Sequence, residues 1–170
     1  MNNLVEILKS RLDYNSQTGN LTWKKTCSPQ NKFKGMAAGG IGVNGYIYIG
    51  ISVNGVPVTL SAHRVVYMIS EGVEPQGEID HINGDRADNR WANLRVVDRL
   101  ENNKNMAKYK NNSSGVMGVY RNKNNGRWYA AISDTGKRIS LGGYGDWMDA
   151  VCARKSAENK FGYHQNHGRS

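Results

Sequence analysis

The chain has 170 residues, and its 23 Lys and Arg outnumber its 14 Asp and Glu, which gives a formal charge of +9. This excess favours a polyanionic partner, and the length allows one ordinary domain or two small ones. No stretch approaches the roughly 18 uninterrupted apolar residues of a membrane span, so we expect no membrane partner. Residues 1–15 mix charged with apolar side chains and lack a signal cleavage site, so we expect a cytoplasmic protein.

The cysteines exclude one class of metal site. Cys27 and Cys152 are the two cysteines of the chain and lie far apart in it. Without a closely spaced cysteine pair, a structural zinc site built on thiolates is excluded, and we expect two reduced thiols. The 20 glycines favour short strands and turns over a helical bundle, which predicts an α+β fold.

Four local patterns predict the N-terminal architecture. Apolar residues at helical spacing predict a first helix, and Asn54-Gly55 between two β-rich runs predicts a hairpin. A second helix should end at Gly72, because glycine readily adopts the left-handed conformation of a helix terminus. The predicted elements are a helix over 4–12, a strand over 21–23, strands over 46–49 and 56–60, and a helix over 62–71.

The stretch from Glu78 to Asn105 concentrates polar residues in a strand, loop, strand, helix order. This order would bring Asp80, His81 and Asn102 to one point, since a capping box at Asp98 starts the predicted helix. Carboxylate and amide oxygens suit Mg²⁺, and a histidine beside the ion could take a proton from water. The calcium-loop pattern fails because Ile82 occupies a ligand position. A turn-rich loop with a surface histidine remains an equal alternative on residue types alone.

The run DHINGDRADNRWANLR followed by ENNKN resembles the HNH homing endonucleases of bacteriophages, which belong to the ββα-metal nucleases. The resemblance covers residues 1–106 and implies a nuclease domain there. It implies that Asp80 and Asn102 bind Mg²⁺, for which Mn²⁺ could substitute, and that His81 is the general base. Asn93 would organise the loop and the histidine. Asn103 and Asn105 are alternative ligands, since a shift of register would exchange them with Asn102.

Several basic residues near this predicted site are candidate DNA contacts. Arg86, Arg90 and Arg95 could hold phosphate oxygens, or they could form a solvated charged surface. His63 fits a structural or hydrogen-bonding role better than a contact with DNA.

Residues 107–114 form a basic, Asn-rich linker in this interpretation, with Lys108 and Lys110 as candidate phosphate contacts. Residues 115–170 then predict a second module, in which three short strands precede one amphipathic helix. This order resembles the plant ethylene-response-factor DNA-binding domain, which implies a three-stranded sheet packed on a helix. Its candidate DNA-binding residues are Arg121, Lys123, Arg127, Trp128 and Arg138.

Together these features predict a divalent-metal-dependent, site-directed endonuclease that acts on double-stranded DNA as a monomer. If the gene is carried by a phage, the enzyme would work in the host cytoplasm. The alternative is a DNA-binding regulator that retains a nuclease fold without cleaving. The intact set of Asp80, His81, Asn93 and Asn102 favours the nuclease.

Overall fold

The computed structural model describes residues 4–24 and 32–169. The fold is a mixture of helices and small antiparallel sheets, which confirms the predicted α+β class. No helix within the described ranges has the length and apolar character needed to cross a membrane. Cys27 lies outside the described residues, and Cys152 is an exposed free thiol.

The chain divides into two compact units, Met1–Val97 and Asp98–Ser170. This division precedes the predicted nuclease boundary at residue 106, so the predicted linker over 107–114 falls inside the second unit. The predicted domain assignment itself stays a prediction, because compactness does not test what each part of the chain does.

The described part of the first unit contains two α-helices, one short 3₁₀ helix (Trp91–Asn93) and three small sheets. Its elements are α1 (Leu4–Arg11), β1 (Leu12–Tyr14), β2 (Leu21–Trp23), β3 (Gly40–Ile41), β4 (Ile47–Val53), β5 (Val56–Ser61), α2 (Ala62–Glu71), β6 (Glu78–His81) and β7 (Leu94–Val97). The sheets are β1-β2, β3-β4-β5 and β6-β7, all antiparallel. The first helix ends one residue earlier than predicted, since Leu12 pairs with Trp23.

Two predicted turn positions have the backbone that their residues favour. Asn54 and Gly55 link β4 to β5 with φ of 51° and 85°, the left-handed pair of a tight hairpin. Gly72 ends α2 with φ of 77°, and its N–H donates to the carbonyl of Met68. The hairpin and the helix were therefore readable from local sequence.

One apolar core holds the first unit together. Leu8 of α1, Leu12 of β1, Ile49 of β4 and the pair Val65 and Val66 of α2 are almost fully buried in it. Burial of each such side chain contributes about 1.5–3 kcal/mol. The core thus joins the N-terminal helix and hairpin to the elements that precede the predicted catalytic stretch.

The second unit is a three-stranded sheet with a helix packed on it. Its elements are α3 (Arg99–Asn103), β8 (Val119–Arg121), β9 (Trp128–Asp134), β10 (Lys137–Tyr144) and α4 (Trp147–Lys160). The sheet order is β10-β9-β8, and Val119, Ala130 and Ala150 form the centre of its core with α4. This confirms the predicted sheet-and-helix module.

A buried polar cluster joins α4 to the chain end. Arg154 donates through Nε to Glu158 at 2.8 Å and through Nη1 to the carbonyl of Ala131 at 2.6 Å, while Nη2 lies 3.1 Å from Nε2 of His167. Arginine can only donate, so His167 accepts at Nε2 and carries its proton on Nδ1.

The tail after α4 also pairs with the segment that follows α3. The N–H of His164 donates to the carbonyl of Lys104, and the N–H of Gly168 donates to that of Met106. Lys108, in the predicted basic linker, donates its N–H to the carbonyl of Arg169. The local composition of residues 104–108 could not predict these backbone hydrogen bonds, because their partners lie about 60 residues away in the chain.

Candidate active site

The ribbon of β6 and β7 positions the predicted catalytic pair. Asp80 pairs with Arg95 across the ribbon, and His81 pairs with Leu94. Side chains alternate between the two faces of a strand, so these neighbours point to opposite sides. Both are nonetheless buried, with exposed fractions of 7 % for Asp80 and 3 % for His81. A buried carboxylate next to a buried imidazole in sequence is unusual for a surface turn.

The Asn93 side chain bridges two points of the loop between the two strands. Its Nδ2 donates to the carbonyl of Asp88 at 2.8 Å, and its Oδ1 accepts the N–H of Asn83 at 2.9 Å. The side chain is buried, where polar groups need such partners. The contacts suit the predicted role of organising the loop, and that role stays a prediction.

Asn89 contacts the His81 ring directly. Its Oδ1 lies 3.2 Å from Nε2 of His81, and its own side chain is 2 % exposed. An amide oxygen can only accept, so His81 carries its proton on Nε2. The nitrogen able to accept a proton from water is therefore Nδ1.

Two further rings surround His81. The centroids of His63 and His81 are 5.2 Å apart in an edge-to-face arrangement, and Tyr46 lies 5.2 Å from His63 and 5.8 Å from His81. Burial lowers the pKa of His63 to about 4, with His81 and Arg64 adding to the effect. Nδ1 of His63 is buried without a hydrogen-bond partner among the described residues, and Nε2 lies 3.2 Å from Oγ of Ser61.

Burial is also the main cause that lowers the pKa of His81 below its ordinary value. The hydrogen bond to Asn89 and the charges of Asp80, Asp85 and Asp88 act in the opposite direction. The ring is consequently neutral at physiological pH, the form that a general base requires.

Asp80 is held by an arginine. Arg95 donates to Oδ2 of Asp80 through Nε at 3.0 Å and through Nη2 at 2.8 Å. A buried carboxylate is a hard oxygen donor, and Mg²⁺ often binds through one or two carboxylates while keeping waters and phosphate oxygens. The donor chemistry of Asp80 therefore fits a divalent ion. Within the described residues, no group of three or more His, Cys, Asp or Glu side chains is arranged to hold a metal.

The other predicted arginines of the first unit have protein partners. Arg90 donates to Asp88 through Nε at 2.8 Å and Nη2 at 2.6 Å, and this pairing lowers the pKa of Asp88 to about 2. Arg86 donates to the carbonyl of Asn44 and lies over the Tyr46 ring at 4.9 Å. Both side chains are exposed, so both could also meet phosphate.

Asn102 lies in the second unit, on α3. The N-cap of the helix is Asp98, whose Oδ1 accepts the N–H of Glu101 at 2.8 Å, as the capping-box pattern predicts. Of the alternative ligands, Asn103 is exposed, and Asn105 is 2 % exposed with Oδ1 accepting from Arg169. Asn102 as a metal ligand stays a prediction.

The sheet of the second unit has one face away from α4. Val119 and Ala130 pair across β8 and β9 and face the core, so the next pair, Tyr120 and Tyr129, lies on the opposite face. Their rings stack with centroids 5.8 Å apart, and Cζ of Arg138 lies 5.2 Å from the centroid of the Tyr120 ring. We name Tyr120, Tyr129 and Arg138 the outer face.

The remaining predicted DNA contacts of this unit surround the sheet. Trp128 packs against the core and is half-buried, with Arg121 6.0 Å over its ring. Arg127 donates to the carbonyl of Gly143. Lys110, Lys123, Arg121 and Arg127 are exposed, whereas Lys108 is half-buried.

Sequence reasoning missed Asn89 as a residue of the candidate site. Asn89 follows Asp88 in a loop rich in Asn and Asp, where every such residue has a turn-forming explanation. Its contact with His81 depends on how the loop closes.

Residues 61–104 match the family described as HNH endonuclease. Protein 3.8 of Escherichia phage T7 is 34 % identical over 77 residues, which are 45 % of this chain and 64 % of that protein. This chain is also similar to a solved structure described as DNA binding and cleavage by the HNH homing endonuclease I-HmuI, at 26 % sequence identity and a TM-score of 0.40. The match covers 52 % of this chain and 47 % of the chain in that structure.

The chain thus spans less than two thirds of the phage protein and about half of the homing endonuclease. The matched segment contains Asp80, His81, Asn89 and Asn93. HNH endonucleases generally use a divalent metal ion. The match to the HNH endonuclease family is confined to residues 61–104.

Proposed function

We propose that this protein is a divalent-metal-dependent DNA endonuclease with His81 as its general base. The observation that carries the proposal is the pairing of Nε2 of His81 with Oδ1 of Asn89 at 3.2 Å. It leaves Nδ1 as the basic nitrogen of a ring that burial keeps neutral. Asp80, the residue before His81, would supply a carboxylate ligand for the metal ion.

The reaction is hydrolysis of one phosphodiester bond. Nδ1 of His81 takes a proton from the attacking water as the water oxygen bonds to phosphorus, and the bond between phosphorus and the 3′ oxygen breaks. The departing 3′ oxygen takes a proton from solvent, which leaves a 3′ hydroxyl and a 5′ phosphate. Asp80 and Asn102 would hold Mg²⁺ or Mn²⁺, which when bound polarises the phosphate and stabilises the departing oxygen. Arg95, which donates to Asp80, could also hold a phosphate oxygen.

The second unit would bind the target. Its outer face combines aromatic rings with Arg138, and Arg121, Lys123 and Arg127 surround it with positive charge. Basic side chains neutralise phosphates, whereas contacts with base edges supply specificity. We further propose that the protein acts as a monomer and cleaves double-stranded DNA at a specific site.

Plasmid cleavage with and without metal tests the proposal. Supercoiled DNA incubated with the full chain and Mg²⁺ should become nicked or linear, and EDTA should stop the reaction. A non-cleaving DNA-binding regulator would retard the plasmid in a gel without changing its topology after deproteinisation. That result would exclude the nuclease.

A further inference from the structure

We propose that Asn89 is a positioning residue that fixes the tautomer of His81, and that the β1–β2 hairpin holds Asn89 in place. The catalytic consequence rests on the proposed function, whereas the tautomer can be measured without activity. The hairpin residues on which the inference depends are Tyr14, Ser16 and Gly19. They lie outside residues 61–104, the segment that matches the HNH family.

The orientation of the Asn89 amide follows from its second partner. Nδ2 of Asn89 donates to the carbonyl of Ala87 at 3.3 Å. If the amide were reversed, its oxygen would face that carbonyl and two acceptors would meet. The oxygen therefore faces His81, and Nε2 of His81 must donate to it.

The N-terminal hairpin contacts the backbone on both sides of Arg90. The hydroxyl of Tyr14 donates to the carbonyl of Asn89 at 2.9 Å. The N–H of Trp91 donates to the carbonyl of Ser16 at 3.1 Å. These two bonds attach the loop to the hairpin one residue before and one residue after Arg90.

Gly19 makes the close approach possible. It has φ of 77°, and a Cβ at this position would lie 2.6 Å from the nitrogen of Arg90 and 2.7 Å from the carbonyl carbon of Asn89. Backbone atoms cannot yield as a flexible side chain can. A side chain at residue 19 would therefore push the loop, and Asn89 with it, away from the hairpin.

Fixing the tautomer matters because only one form of the neutral ring can act. With the proton on Nε2, Nδ1 has the lone pair that receives a proton from water. With the proton on Nδ1, that nitrogen is a donor and cannot act as the base. Without the Asn89 oxygen, both forms are accessible and the ring loses its fixed orientation.

The direct test is the nitrogen spectrum of the histidine rings. We would label the full chain with ¹⁵N-histidine, identify the His81 signals from their loss in His81→Ala, and record the neutral form. The wild type should show one tautomer with the proton on Nε2. Asn89→Ala should show averaged shifts, and Asn89→Asp, whose carboxylate still accepts, should restore the wild-type tautomer. Unchanged shifts in Asn89→Ala would overturn the inference.

The hairpin's part is tested with two matched glycines. Gly55 has φ of 85° and open space where a Cβ would lie, so Gly55→Ala carries similar backbone strain without a clash. Gly19→Ala should lower the single-turnover rate at saturating DNA at least tenfold and leave DNA affinity unchanged, and Gly55→Ala should cleave like the wild type. Tyr14→Phe, which adds no clash, should lower the rate severalfold.

The outcomes separate the two proposals. A wild type that has the Nε2 tautomer but cleaves no DNA would contradict the nuclease while leaving the positioning role intact. A wild type that cleaves, with Gly19→Ala and Tyr14→Phe cleaving equally fast, would overturn the role of the hairpin.

Discussion

Arg95 and Asp80 lie opposite each other on β7 and β6, and the guanidinium donates through Nε and Nη2 to a single carboxylate oxygen. Asp80 is buried, whereas the Arg95 side chain is 29 % exposed. The buried carboxylate that would bind a metal ion is therefore balanced by a partly exposed protein cation. Because of this pairing, binding of a metal ion to Asp80 should change the melting temperature of the protein when Arg95 is replaced.

Arg95→Gln should make the fold less stable and more responsive to Mg²⁺. Removing the cation from a buried carboxylate costs about 1–3 kcal/mol after allowing for the partial exposure of Arg95. A bound ion replaces the missing charge, so Mg²⁺ should raise the melting temperature of this variant more than that of the wild type. Arg90→Gln is the matched control, because Arg90 pairs with Asp88 instead. Equal Mg²⁺ effects in Arg95→Gln and the wild type would place the metal away from Asp80.

Asp85→Asn should move the acid limb of the pH–rate profile to lower pH. The negative charge of Asp85 raises the pKa of His81, because it stabilises the imidazolium form. Without that charge the pKa falls, so the neutral base persists to more acidic pH. The Asp85 oxygen accepts the N–H of Ala87, a bond that asparagine can keep. Single-turnover rates from pH 5 to 8 measure the shift, and a shift to higher pH would contradict the assignment.

His167 should make the second unit sensitive to acid. Burial lowers its pKa to about 4, from 6.5. Between these values the unfolded chain binds the proton and the folded chain does not, so stability is complete above pH 6.5 and is lost as pH falls toward 4. The loss is about 1–3 kcal/mol for a shift of this size. Thermal melts at pH 7.5 and 5 should show a smaller loss for His167→Gln, and an equal loss would contradict this role.

Charge removal around the outer face should weaken DNA binding in a salt-dependent way. Lys123→Gln and Arg138→Gln should each reduce the steepness of log K against log salt by about 0.9 for each phosphate that the variant no longer neutralises. Lys155→Gln, on α4 and paired with Glu158, should leave the slope unchanged. If all three variants bind like the wild type, the outer face does not contact DNA.

Local signals predicted much of the fold. Asn54-Gly55, Gly72 and Asp98 mark a hairpin, a helix end and a helix start, because each acts through its own backbone or that of its near neighbours. The two-stranded pairing that carries Asp80 and His81 was also readable. The contacts of Asn89 with His81 and Tyr14 were not, since they depend on how the loop closes and on a hairpin far away in the chain. The pairing of residues 104–108 with the tail is also long-range.

The most direct measurement of the central claim compares cleavage and binding in His81→Ala. The base takes a proton in the reaction and contributes little to affinity, so single-turnover cleavage with Mg²⁺ should fall by a factor of about 10²–10⁴, while the dissociation constant for the same DNA stays within about twofold of the wild type. Cleavage by His81→Ala at the wild-type rate would contradict the assignment of His81 as the general base.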